Sequence, residues 1–159
     1  MSKLITMIKE QHCEEPNYMT ISKINKFIYL GSFEHPFIDS EEFQKLGIDV
    51  IFNCSKEIVY TDQNKYIIEN FQIVDGDSIS MLENMDKINN KIVYYLSESK
   101  KIYLHCVKGI SRSPTVLIYY LMSQKKFTYD NALSLLKNIR PVIDIDPEFE
   151  NLLRTIEEC

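Results

Sequence analysis

The chain has 159 residues, close to one domain on a prior of about 150 residues per domain and long enough to bury roughly two-thirds of its unfolded surface. Apolar residues make up 45% and charged residues 26%, with 4 Gly and 5 Pro, which excludes a disordered or collagen-like chain. Against 18 Lys+Arg stand 23 Asp+Glu, and the net charge of -5 disfavours nonspecific binding to nucleic acid or to an anionic membrane, so any anion site has to be local.

Residues 1–20 read as an N-terminal extension, in which Lys9 and Glu10 cut the apolar run before it reaches the length of a signal-peptide core. Phe27 to Leu30 reads as a short strand ended by Gly31. Asp39 with Glu42 three residues on forms a capping-box pattern for a short helix that Gly47 stops. Asp49 to Asn53 reads as a buried strand and Phe71 to Val74 as another. After an Asp77 or Ser78 cap, Ile79, Leu82, Met85, Ile88 and Ile92 recur at helical spacing. Lys101 to His105 reads as a strand, Pro114 to Ser123 and Tyr129 to Asn138 as helices, and Asp146-Pro147 as a cap and first-turn proline opening the last helix. Strands that alternate with helices imply a three-layer α/β fold, with a mostly parallel, twisted central sheet flanked by helices. Val116 to Met122, the longest apolar stretch near the middle, falls short of the roughly 20 residues that span a bilayer. Neither end carries a lipidation signal: Ser2 stands where myristoylation needs Gly, and Cys159 is the last residue. These features point to the cytoplasm and away from membrane and nucleic acid; a monomer is the expectation, though no residue pattern fixes the oligomeric state.

The segment from Lys101 to Thr115 runs strand, tight loop, helix, and sets Cys106 and Arg112 six positions apart. Five residues between them can curl so that successive N–H groups point inward, and the helix that follows adds its unsatisfied amides and positive dipole end. Val107, Lys108, Gly109, Ile110, Ser111 and Arg112 then form an anion cradle, with Gly109 supplying the backbone freedom. A cysteine at its mouth shares that field, which favours the thiolate and makes Cys106 a nucleophile at neutral pH. Arg112 offers a planar fork of donors to two phosphoryl oxygens, a contact that a lysine cannot reproduce. Ser113 can hydrogen-bond the sulfur and stabilise it as a leaving thiolate, or else cap the helix. His105 precedes the nucleophile on a buried strand, where it supports the loop by hydrogen bonds rather than moving protons.

The run His105 to Ser113 resembles the His-Cys-x5-Arg-Ser signature of the cysteine-dependent protein tyrosine phosphatase superfamily, and more closely its compact dual-specificity phosphatases. Ile-Tyr-Leu-Gly-Ser at 28 to 32, Gly-Ile-Asp-Val-Ile-Phe-Asn at 47 to 53, Tyr119-Tyr-Leu-Met122 and Arg140-Pro141 are further landmarks in the family's order. The resemblance covers about residues 21 to 156 and identifies 21–159 as the catalytic domain, of the small atypical type. It implies hydrolysis of phosphotyrosine and phosphoserine or phosphothreonine on proteins, in a shallow site and without a metal or other cofactor. Cys106 attacks phosphorus to give a phosphocysteine. A carboxylic acid protonates the departing oxygen, and its carboxylate then activates water.

The family places that acid just after the strand read here at Phe71 to Val74, which makes Asp75 and Asp77 the candidates. Asp75 is favoured, because Gly76 supplies a hinge beside it and Asp77 is better placed to cap a helix. Where the family often has Pro-Asn before the last helix, this chain has Ile145-Asp146.

Two other classes of function stay open on the sequence. One is a phosphopeptide-binding module that does not turn over, against which Cys106 argues. The other is an enzyme for phosphoinositides or other non-protein phosphoesters, whose polyanionic substrates call for more basic residues than Lys108 and Arg112. Of the remaining cysteines, Cys54 shares a strand face with Val50 and Phe52 and reads as core rather than as a redox partner of Cys106. Cys13, beside His12, and Cys159 have no company suited to metal binding.

Overall fold

The computed structural model describes residues 17–61 and 65–159. Within them the chain forms β1 (Ser22–Lys23), β2 (Ile28–Gly31), α1 (Glu34–Ile38), α2 (Glu41–Gln44), β3 (Val50–Asn53), β4 (Ile67–Asn70), α3 (Ser78–Ser97), β5 (Ile102–His105), α4 (Arg112–Lys125), α5 (Tyr129–Ile139) and α6 (Pro147–Glu158). The strands make one sheet in the order β1-β2-β5-β3-β4, parallel except where β1 meets β2. Helices cover both faces, so the expected α/β layering is the one observed.

Every residue of β2, β3 and β5 is buried, because a parallel sheet covered on both faces leaves no wet side. On one face Leu30, Phe52 and Leu104 lie in register and pack against Met81, Met85 and Ile88 of α3, Val116 of α4 and Phe149 of α6. On the other face Tyr29, Ile51 and Tyr103 meet Phe43 of α2, whose ring stands edge-on to Tyr103 at 5.0 Å. Burial of each such side chain stabilises the fold by roughly 1.5–3 kcal/mol. β5 sits between β2 and β3, and their carboxyl ends open on one side. In open α/β sheets that is where ligands bind.

Three local expectations need correction. Phe71 to Val74 is not a strand; the ladder partner of β3 is Ile67–Asn70. Phe71 and Ile73 still point into the core while Gln72 and Val74 stay exposed, so the period of two is present. The chain has by then passed the end of β3, whose Asn53 carbonyl accepts the last bond, from Phe71 N–H at 2.9 Å. The cap of α2 is Ser40, whose side chain accepts from Phe43 N–H, rather than Asp39. Asp39 instead closes α1, a helix the sequence pattern did not reveal, in a left-handed conformation (φ 48°). On α3 the buried stripe runs through Met81, Met85, Ile88 and Ile92, while Ile79 and Leu82 are exposed.

Asp77 and Asp146 do cap α3 and α6, accepting from Ile79 N–H and Glu148 N–H. Cys54 lies in the core with Val50 and Phe52. Cys13 and His12 lie outside the described residues.

Candidate active site

β5 ends at His105, and the loop from Cys106 to Ser111 then turns into α4. Each carbonyl of that loop is held from outside. His105 Nδ1 donates to Cys106 O at 2.7 Å, Phe33 N–H to Val107 O at 3.1 Å and Arg140 Nη2 to Lys108 O at 2.8 Å. Arg140 Nε donates to Gly109 O at 2.8 Å, Asp144 N–H to Ile110 O at 3.0 Å and Thr115 N–H to Ser111 O at 2.9 Å. None of the peptide bonds among the described residues is cis, so each N–H points away from the carbonyl that shares its plane. Carbonyls turned outward from 106 to 111 therefore turn the N–H groups of Val107 to Arg112 inward, the arrangement of an anion-binding nest. Gly109 makes the tight pass possible. Its φ is +67°, and a Cβ there would collide with the Gly31 carbonyl and lie 2.9 Å from Arg140 Nη2.

Cys106 is only 4% exposed, and its Sγ lies 3.3 Å from Ser113 Oγ. Ser113 thus faces the sulfur and does not cap α4; the cap position is Ser111. Both nitrogens of the buried His105 ring are committed. A carbonyl can only accept, so Nδ1 carries the proton to Cys106 O, and Nε2 accepts from the Tyr60 hydroxyl at 2.7 Å. Burial pushes the imidazole down to about 4 while the bond to Cys106 O opposes the shift. His105 is therefore a neutral strut, as its place on a buried strand suggested.

Arg112, also 4% exposed, donates Nη1 and Nη2 to the two oxygens of Glu57 at 2.6 and 2.8 Å, and Nη1 again to Ile73 O at 3.0 Å. Three of its five donors are thereby used. Nε–H and the second Nη2 hydrogen remain on one edge of the guanidinium, a parallel pair that suits two phosphoryl oxygens. The hydrogen bonds from Arg112 hold the Glu57 carboxyl below its ordinary value, in spite of some desolvation. Burial raises the Cys54 thiol, and the neighbouring Cys106 raises it further, so Cys54 stays protonated in the core.

These groups open into a cleft of about 600 Å³ lined by Cys106, Arg112, Glu57, Asp75, Lys108 and the segment Asp144 to Pro147. The structure thus brings Asp75 to the cleft and leaves Asp77 on the helix cap. Gly76 between them has φ +73°. Asp146 N–H donates to Ser111 Oγ at 3.0 Å, so the carboxylate that departs from the family pattern belongs to the segment that supports the loop. Among the described residues no group of three or more His, Cys, Asp and Glu is placed to hold a metal ion, and no helix is long and apolar enough to cross a membrane.

Sequence reasoning missed Glu57 and Tyr60, and it had Arg140 only as a landmark. Glu57 and Tyr60 lie in the loop after β3, and the sheet order β5-β3 sets that loop beside the cradle. The one available signal was chemical: a buried Arg112 needs a counter-charge.

The family model for "Dual specificity phosphatase, catalytic domain" matches residues 28–159. Protein phosphatase Slingshot of Drosophila melanogaster is 31% identical over 84% of this chain and 13% of its own length. Tyrosine-protein phosphatase yvh1 of Schizosaccharomyces pombe is 30% identical over 87% of this chain and 42% of its own. The chain thus spans less than half of these two longer relatives. A putative tyrosine phosphatase, 123R, of Invertebrate iridescent virus 6 is 29% identical over 79% of this chain and 83% of its own. Among solved structures, human DUSP28 superposes with a TM-score of 0.76 at 19% identity, covering 87% of this chain and 93% of that one, which speaks to the fold alone. By the span of the family match, which includes the whole cradle from Cys106 to Arg112, the chain belongs to the dual specificity phosphatase catalytic-domain family.

Proposed function

We propose that this chain, with residues 21–159 as its catalytic domain, hydrolyses phosphotyrosine and phosphoserine or phosphothreonine on proteins through a phosphocysteine intermediate. The observation that carries this reading is the cradle: the carbonyls from Cys106 to Ser111 are bonded outward, which turns the N–H groups of Val107 to Arg112 inward, and Arg112 holds two donors in reserve. The amides and the guanidinium edge bind the phosphoryl oxygens and follow their charge into the transition state. Cys106 Sγ attacks phosphorus as Asp75 donates a proton to the departing alkoxide or phenoxide. Asp75, now a carboxylate, takes a proton from water as that water attacks the phosphocysteine. Phosphate leaves, and Ser113 Oγ–H stabilises the departing thiolate at 3.3 Å.

Relatives named protein phosphatase and tyrosine-protein phosphatase support a phosphoprotein substrate. The free thiols of Cys54, Cys106 and Cys159 suit the reducing cytoplasm, and the reading takes the chain as a monomer. The test is to quench the reaction with a radiolabelled phosphopeptide in acid. Label should appear on Cys106 of the native chain. It should be absent from Cys106→Ser, which should still bind the peptide because the cradle amides and Arg112 remain. Turnover by Cys106→Ser would overturn covalent catalysis.

A further inference from the structure

The cleft has a charge asymmetry that phosphoryl transfer does not require. Its carboxylates are Glu57, Asp75, Asp144 and Asp146, and its cations are Lys108 and Arg112. Glu57 is bound to Arg112, and Asp75 is assigned to the leaving group. That leaves Asp144 and Asp146, neither of which has an ion-pair partner among the described residues. Lys108 is turned to a different neighbour, its Nζ 5.5 Å from the centre of the Tyr18 ring.

The two aspartates are held in place. Asp144 N–H is bonded to Ile110 O and Asp146 N–H to Ser111 Oγ, each at 3.0 Å. Asp146 Oδ1 caps α6 at 2.8 Å, and its Oδ2 faces Gly76 of the Asp75 loop, 3.4 Å from where a Cβ would stand. What enters the cleft is fixed independently of these carboxylates. Arg112, 4% exposed, lines it and keeps two of its donors unpaired among the described residues, and those donors call for a phosphate.

We propose that Asp144 and Asp146 are specificity residues, selecting phosphorylated polypeptides with Lys or Arg within about three residues of the phosphorylated one and rejecting ligands that carry further phosphates. The proposal rests on the phosphatase reading above and names the substrate class for that site. A phosphate seated on the cradle leaves the neighbouring residues of an extended peptide about 3.3–3.6 Å apart along the rim. A lysine or arginine stem from those positions reaches the carboxylates of the 144–146 segment. A second phosphate on the ligand meets the same carboxylates with only Lys108, turned toward Tyr18, left among the lining cations to offset them, and is repelled in a cleft partly screened from water.

The experiment compares kcat/KM on peptides of one length with a central phosphotyrosine flanked by Ala, Lys or Glu, with p-nitrophenyl phosphate as a flank-free substrate and a water-soluble phosphoinositide as a polyanion. The Lys-flanked peptide should exceed the Ala-flanked one roughly five- to tenfold, and the Glu-flanked one should fall below it, as expected of two partly exposed pairs. The preference should shrink in about 0.5 M salt, where the screening length is only a few ångströms. In Asp144→Asn/Asp146→Asn the Lys-to-Ala ratio should fall to about one; asparagine keeps the α6 cap, so the fold is retained.

Equal rates on the three peptides, an unchanged ratio in the double variant, or preference for the phosphoinositide would overturn the proposal while p-nitrophenyl phosphate turnover leaves the phosphatase reading intact. Failure to hydrolyse p-nitrophenyl phosphate would overturn the phosphatase reading instead. The order of peptide affinities for Cys106→Ser, measured by calorimetry, would then decide the selectivity: Lys above Ala above Glu supports it, and equal affinities overturn it.

Discussion

Asp75 and Asp77 are two positions apart and differently placed. Asp77 Oδ1 accepts Ile79 N–H at 3.2 Å as the cap of α3, so its oxygen is committed to the helix. Asp75 lines the cleft and lies close enough to Arg112 to act on its charge. Asp75→Asn should therefore slow phosphotyrosine peptides by about 10²- to 10⁴-fold and remove the alkaline limb of the pH–rate profile. The loss should be much smaller for activated aryl esters, whose leaving group departs unprotonated. Asp77→Asn should stay near wild type, because asparagine caps as well as aspartate. The reverse pattern would move the acid to Asp77. Arg112→Lys should lose affinity and rate together, since one ammonium cannot hold Glu57, the Ile73 carbonyl and two phosphoryl oxygens at once. Steady-state kinetics with native-like rates for this variant would remove Arg112 from the site.

Among elements, the loop after β3 holds both ends of the cradle: Tyr60 fixes His105 beside the sulfur, and Glu57 fixes the guanidinium at the far end. Glu57→Ala should free Arg112 to sample several rotamers and lower kcat about tenfold, while Glu57→Gln, which keeps a side-chain oxygen facing the guanidinium, should recover most of it. Equal losses in the two variants would show that only the carboxylate charge matters. This loop also marks the limit of what the residue order discloses. The cradle itself is contiguous, so Cys106, Gly109 and Arg112 declare their chemistry by spacing alone. Glu57 and Arg140 lie 55 and 31 residues from the atoms they bind; the neighbourhood of β3 and β5 in the sheet brings the first there, and the packing of α5, which Arg140 ends, on α4 brings the second. The Asp39 cap was misread for a related reason: Ser40 offers an equally good cap, and the choice between neighbours was made by Tyr66 and Lys65, which take the Asp39 carboxylate from 26 to 27 residues away. The exposed start of α3 is a matter of phase, since Ile79 and Leu82 flank Met81, and the buried stripe passes through the middle residue.

On the scale of the whole molecule, His105 ties stability to pH. Burial pushes its imidazole down to about 4 from the ordinary 6.5, so between those values the unfolded chain takes up a proton that the folded chain refuses. Stability is then complete above pH 6.5 and falls as the pH drops toward 4, by on the order of 3 kcal/mol. Urea midpoints measured across that window should fall more steeply for the native chain than for His105→Gln. Should that variant not fold, an NMR titration of the native ring should find it uncharged down to about pH 4; an ordinary titration near 6.5 would sink the argument. Cys106 is attached one residue beyond β5, the central strand of the five, bonded to β2 on one side and β3 on the other and buried throughout. The amides of such a strand exchange with solvent only when the entire domain opens. Leu104 should accordingly be among the last amides to take up deuterium, and on slow heating the loss of activity should coincide with loss of tertiary structure, since the sulfur of Cys106 hangs from the part of the sheet that lets go last.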